Sequence, residues 1–319
     1  MPLRSSKNQM KILITGSRGF VGGSVGRFAA AAGHDVLGVA RSSQPERDWP
    51  GRYVQSDVLH GSLADTLAEF APDVVIHAAG TASVGGSLHA PLEDFQAAVL
   101  TWANVLENVR RSGVRPVLVF PSSAAVYGNP AALPVAEEAP VSPVSPYGFH
   151  KAACEMVARE YAECFGLNIV VCRLFSLFGT RQRRLLVWEI FEQLSGPEKT
   201  VWLQGTGQES RDYLHADDLA AAMLHLAAHP AFAEPTGRAQ IVNLGSGQET
   251  SVLELARRMS ALRGADKPVA CRSQARPGNP TRWAADVSRL QALLPAWQPA
   301  PLAEGLARCM DAWELANAK

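Results

Sequence analysis

Residues 12–43, ILITGSRGFVGGSVGRFAAAAGHDVLGVARSS, constrain the fold more than any other stretch of this chain. A short apolar strand runs straight into three glycines spaced by two residues, Gly16, Gly19 and Gly22. A helical stretch (Gly22–Ala32) and a second strand (Val36–Ala40) follow. Each glycine has a use in that order. Gly16 permits the tight turn out of the strand, Gly19 lets the backbone approach a pyrophosphate, and Gly22 lets the helix pack close to the sheet. The unpaired N–H groups and positive dipole end of the helix then face phosphate. We read the loop as a dinucleotide site rather than an ordinary glycine-rich turn.

The end of the second strand bears on which dinucleotide. A ribose 2′-hydroxyl is usually met there by Asp or Glu. Here the strand ends Ala40-Arg41-Ser42, and Arg18 adds a cation inside the loop. Guanidinium suits a 2′-phosphate through paired hydrogen bonds. The expectation is therefore NADP, with NAD as the alternative in which Arg41 stacks on the adenine. Asp57, with Val58 after the third strand, is placed to meet the adenine amino group.

The same rhythm continues. Further strands are expected at Tyr53–Gln55, Val74–His77, Pro116–Pro121 and Asn168–Arg173, with helical periodicity over Ser62–Phe70, Pro91–Ser112 and Tyr147–Phe165. Continuous Val/Ile/Leu runs alternating with helices predict an α/β fold, a doubly wound parallel sheet of Rossmann type covered on both faces. After Leu174 the elements shorten and Pro and Gly increase, with helices clearest at Asp217–Ala228 and Ser251–Leu262. This divides the chain into a dinucleotide-binding domain over 10–173 and a smaller, irregular substrate-binding domain over 174–319, some segments of which return to the sheet. With 47% apolar residues and zero formal net charge, the chain has the means for a large core and no global field to recruit nucleic acid or membrane. Five scattered cysteines, no apolar leader and no apolar run of about 18 residues point to a reduced, cytoplasmic protein.

Two further stretches carry chemistry. VFPSSAAVYG (119–128) ends a strand, so Ser122 and Ser123 fall at the carboxyl edge of the sheet, where ligands of open α/β folds bind. SPYGFHK (145–151) starts a helix at Pro146 and sets Tyr147 and Lys151 four apart on one face. A neighbouring cation favours the phenolate of a tyrosine. Tyr147 can then pass a proton to or from an alcohol oxygen, Lys151 can hold the nicotinamide ribose, and Ser123 can orient the same oxygen for hydride transfer.

Together these motifs resemble the extended short-chain dehydrogenase/reductases that act on nucleotide sugars. The resemblance rests on TGSRGFVG (15–22), HAAG (77–80), PSSAAVYG (121–128), SPYGFHK (145–151), RLFSLFG (173–179), RDYLHADDLA (211–220), NLGSG (243–247) and RPGNP (276–280), in family order along nearly the whole chain. It implies a nucleotide-diphosphate sugar as substrate and Ser123, Tyr147 and Lys151 as the catalytic set. It adds Phe20, Val21, Ala78, Ala79, Gly80 and Phe175 to the cofactor contacts. Ser83, Ser123, Ala124, Ser176, Arg211 and Arg276 become substrate contacts, the two arginines at its pyrophosphate. It also implies a homodimer through a four-helix bundle. The 4,6-dehydratases of the family carry an acid after the catalytic serine or threonine, whereas Ala124 and Ala125 stand here, and a methyl group cannot protonate a leaving hydroxyl. Arg41 and Ser42 resemble the strand ends of NADP-using members, so the main expectation is a 4-keto-6-deoxyhexose 4-reductase. The alternatives are a 4-epimerase with tightly bound NAD and, less favoured, a non-catalytic NAD(P)-sensing regulator.

Two clusters are given bland readings. HLAAH (225–229) has the spacing of a zinc pair but lacks the glutamate and a third ligand, so no metal is expected. TRQRR (180–184) reads as a solvated loop, with contact to a phosphate as its alternative.

Overall fold

The computed structural model describes residues 9–265, 267–272 and 280–317. Its main layer is a seven-stranded, wholly parallel sheet: β1 (Lys11–Thr15), β2 (Asp35–Ala40), β3 (Arg52–Gln55), β4 (Val74–His77), β5 (Val117–Ser123), β6 (Asn168–Leu174) and, much later in the chain, Gln240–Leu244. Beside β6 lies that late strand, and the order across the sheet continues β6, β5, β4, β1, β2, β3. The chain therefore winds outward from β1 in one direction and then from β4 in the other. The crevice between the ends of β1 and β4 is the switch point at which ligands of such sheets bind.

Alternation along β1 shows why both faces are covered. Ile12 and Ile14 point to one side, where they pack with Val25 of α1 (Phe20–Ala31) and with Leu219 and Met223 of a later helix, Ala216–Ala227. Leu13 points to the other side, into a cluster with Leu67 of α2 (Ala64–Phe70), Trp102, Leu106 and Ala158. Side chains two apart share a face, and both faces of a parallel sheet must be buried.

The second face is built by α3 (Val84–His89), α4 (Pro91–Phe95), a π-helical turn (Gln96–Leu100), α5 (Thr101–Ser112) and α6 (Pro146–Phe165). The sequence predicts one helix over Pro91–Ser112. The path is continuous, but its middle turn is widened, and the Thr101 hydroxyl donates to the carbonyls of Ala97 and Ala98 there. β5 starts one residue after Pro116 and runs on to Ser123, past the expected end. Its pairing with β4 stops at Val119, so Pro121 has a ladder neighbour only in β6.

Beyond β6 the chain forms β7 (Ser176–Phe178), α7 (Leu185–Ser195), β8 (Val201–Leu203) and β9 (Ser210–His215). Glu249–Ser251, β9 and β7 make a three-stranded sheet, and β8 pairs with Val269–Cys271. These elements enclose their own core of Phe178, Trp188, Phe191, Leu203, Leu255, Met259 and Trp313. Neither α7 nor the last helix, Leu302–Asn317, was among the clearest helices of the sequence.

Candidate active site

The glycine loop crosses the switch point. Gly16 has φ +70°, and a Cβ there would lie 2.5 Å from the backbone of Ala78 and Ala79 at the end of β4. A Cβ on Gly22 would lie 2.4 Å from the carbonyl oxygen of Gly16, whereas Gly19 faces little beyond one carbonyl. Two glycines thus close the loop against the sheet, and the third leaves its outer surface open. α1 begins at Phe20 with no side-chain cap and no acid in its first turn. Its leading N–H groups are left for an external acceptor, and their dipole favours an anion. These residues fit the pyrophosphate of a dinucleotide.

The adenosine end is less clearly built. Arg41 and Ser42 are exposed. Their carbonyls accept from Gln55 Nε2 at 3.0 Å and from the Tyr53 hydroxyl at 2.6 Å, which fixes the main chain and leaves the guanidinium unengaged by this pairing. Arg18 Nη1 donates to the Gln44 carbonyl at 2.5 Å. The Asp57 carboxylate accepts from the Leu59 N–H at 3.0 Å and pairs with His60, contacts that hold its pKa below the usual range. The Val58 side chain belongs to the second core, so only its main chain can face a ligand.

Strand alternation separates the two serines. Ser122 turns inward and donates to Glu155 Oε1 at 2.5 Å, within a buried group in which Glu155 and Arg173 pair at 2.7 Å. Arg173 also donates to the Tyr127 hydroxyl and to the Glu137 carbonyl, each at 2.9 Å. Burial pushes the Tyr127 phenol up to about 12, so it stays protonated. Ser123 is half-buried, its Oγ accepts from the Ala125 N–H at 3.2 Å, and it lines one cavity with Tyr147 and Lys151. α6 starts as its sequence demands: Ser145 Oγ accepts from the Gly148 N–H, and Pro146 fills the first turn. Lys151 is 9% exposed, donates to the Pro121 carbonyl at 3.0 Å and stands 5.9 Å from the centre of the Tyr147 ring. His77, stacked on Trp102 at 5.0 Å, is held neutral. Burial first, and then the Lys151 charge, lower its pKa to about 3. Its Nδ1 is hydrogen-bonded to Thr15 Oγ1 at 2.8 Å.

One cavity of about 1030 Å³ takes in Arg18, Gly19, Phe20 and Val21, the wall Ala78–Ala82, Ser123, Tyr147 and Lys151, and Phe175 and Ser176. That volume stands at the top of the range for a single small ligand. It is also lined by Trp202, Gln204, Glu209, Arg211, Tyr213 and Trp283, most of which nothing in the sequence singles out. Arg211 lies 5.2 Å from the centre of the Trp283 ring and donates to the Ser210 carbonyl at 2.7 Å.

Two expected substrate contacts also have structural roles. Ser83 Oγ caps α3 by accepting from the Gly86 N–H. The Ala124 side chain is fully buried with Val126, Tyr127 and Phe175. The run 180–184 is a loop whose Arg183 and Arg184 are exposed, and Arg181, Gln182, Arg183 and Arg184 all border the cavity. Arg181 reaches Asp48 at 2.9 Å and also pairs with Glu46, and both acids bind Arg27 as well. In HLAAH, His229 Nδ1 accepts from the Ala231 N–H. Arg276 lies outside the described residues.

This arrangement matches one family model, the NAD dependent epimerase/dehydratase family, over residues 12–245. The chain belongs to that family. It is 32% identical over 315 residues to a UDP-glucose 4-epimerase of Mycolicibacterium smegmatis, covering 95% of this chain and 98% of the relative. It is 28% identical over 328 residues to a UDP-glucuronate 4-epimerase of Thermodesulfobacterium geofontis, covering 96% of each. Among solved structures, MoeE5 in complex with UDP-glucose and NAD superposes with a TM-score of 0.85 at 26% identity, covering 96% of this chain and 99% of that one. As a member of this epimerase/dehydratase family the chain is a nicotinamide-dependent nucleotide-sugar enzyme of the extended short-chain type. Among the described residues no helix is long and apolar enough to cross a membrane.

Proposed function

We propose that this chain inverts C4 of a UDP-hexose with one NAD that stays bound between turnovers. The observation that carries the reading is a single cavity holding the glycine loop, Ser123, Tyr147 and Lys151, with alanine at both positions after the serine. The equipment for moving a hydride and a proton is present, and neither position directly after Ser123 offers an acid to expel a hydroxyl. The near full-length likeness to two UDP-sugar 4-epimerases supports inversion over net reduction. The family's dinucleotide, and the one held by MoeE5, is NAD. That weighs against the NADP expected from Arg41 and Ser42, and the reductase reading rested on the same two residues.

Bound against Gly19–Val21 and Ala78–Gly80, NAD would supply a reversible hydride acceptor for C4. The protein's residues do the rest. Tyr147 removes the proton from the 4-hydroxyl and later restores it. Lys151, fixed by Pro121, holds a positive charge one helical turn from the phenol, and neutral His77 adds no competing charge. Ser123 hydrogen-bonds the same sugar oxygen. Arg211, whose hydrogen bonds among the described residues go to main-chain carbonyls, meets the pyrophosphate of the substrate. Leu92, Leu100, Phe149 and Met156 leave an apolar face on α4–α6, Met156 being 73% exposed, and a second copy of the chain covers it.

Purified protein given UDP-galactose, with no dinucleotide added, should form UDP-glucose. Turnover only in the presence of added NADPH and a 4-keto nucleotide sugar would replace this reading with the reductase.

A further inference from the structure

A buried carboxylate that no step above uses sits between the cavity wall and α6. Asp94 is 4% exposed. Its Oδ1 accepts from the Thr81 hydroxyl, and its Oδ2 meets His150 Nδ1 at 2.6 Å. Thr81 belongs to the cavity wall, between Gly80 and Ala82. His150 stands between Tyr147 and Lys151 in sequence, 14% exposed, with the Phe95 ring edge-on at 5.4 Å. A second tie runs the same way, because Ser87 Oγ accepts from the Tyr147 N–H at 3.0 Å.

We propose that Asp94 is a positioning residue that fixes the cavity wall at Thr81 relative to the turn of α6 carrying Tyr147. The argument is one of satisfaction. A buried carboxylate is costly unless its oxygens are paired. Each oxygen of Asp94 finds its partner on a different segment, one following β4 and the other on α6. Movement of either segment alone strips a hydrogen bond from a desolvated charge, so the two move together or not at all. Hydride and proton transfer require the reacting groups within a fraction of an ångström of their working geometry, and a misplacement of about 1 Å costs up to about 100-fold. The role assigned to Tyr147 rests on the proposed function; the coupling of the two segments does not.

The test uses Thr81→Val, which keeps the shape and removes the donor, and Thr81→Ser, which keeps the donor. In the valine variant, amide exchange should rise in both 80–83 and 147–150. Reduction of bound NAD by a UDP-hexose should slow about tenfold with bound NAD content and KM unaltered, and serine should restore most of both. A rise confined to 80–83, or a valine variant that transfers hydride at the wild-type rate, overturns the assignment. Wild-type protein that moves no hydride from any UDP-hexose defeats the proposed function alone. The paired exchange then decides the bracket by itself, for it if both segments open and against it if one does.

Discussion

Tyr147→Phe should leave the protein loaded with NAD and cut turnover about 10³-fold, in the middle of the range that general acid–base groups supply. The substitution removes one oxygen and nothing else. The fold has little stake in that oxygen: Tyr147 is half-buried, and the hydrogen bond that ties the residue down comes from its N–H to Ser87, not from its phenol. The cavity wall proposed to hold the cofactor, at Gly19–Val21 and Ala78–Gly80, is built from other elements. Lys151 keeps its bond to the Pro121 carbonyl without the phenol. The loss should therefore fall on kcat, with KM for the nucleotide sugar changing by less than about threefold, as when a contact made only in the transition state is removed. The measurement is steady-state kinetics beside the spectrum of the purified protein. A phenylalanine variant that turns over like wild type would remove the acid–base assignment. A non-catalytic sensor of dinucleotide would show that same indifference.

Glu155→Ala should destabilise the fold by about 3–5 kcal/mol, the cost of leaving one member of a buried ion pair alone. Arg173 is 2% exposed and meets Glu155 through Nε and Nη2, the shorter contact at 2.7 Å. Burial acts to lower the Arg173 pKa, and the hydrogen bonds and charge of Glu155 oppose it. A guanidinium stays charged in proteins, so removing Glu155 leaves a buried cation without its partner. Ser122 loses its acceptor in the same step. A control lies on the same helix. Glu163, paired with Arg159 at 2.9 Å on the surface, should cost no more than about 1 kcal/mol when truncated. Urea unfolding of both variants at neutral pH measures the difference, and equal midpoints would contradict the account of the buried group.

Some of this site is readable from sequence because the signal is local. Gly16, Gly19 and Gly22 announce themselves by spacing within one turn, and the contact that forbids a Cβ at Gly22 is to Gly16 itself. Tyr147 and Lys151 share a helix that Ser145 and Pro146 start. Choosing Ser123 over Ser122 needed the family pattern, and the physical reason lies 33 residues away at Glu155. Within the run 180–184, the place of Arg181 is hidden for the same cause: its partners Glu46 and Asp48 lie more than 130 residues earlier. Ser83 shows a signal that went unused: a serine opening a short helix is a capping signal in any sequence, and it caps α3. Arg41 supplied a cation at the right strand end, but charge alone does not say whether a phosphate comes to meet it.

The central claim is that a hydride leaves C4 of the sugar and returns to the same carbon. UDP-galactose carrying deuterium at C4 tests it most directly, with the product analysed by mass spectrometry and proton resonance. The account predicts UDP-glucose that retains the deuterium at C4, formed without added dinucleotide. Deuterium appearing instead on a released nicotinamide cofactor, or UDP-glucose formed with C4 protonated from solvent, would contradict it.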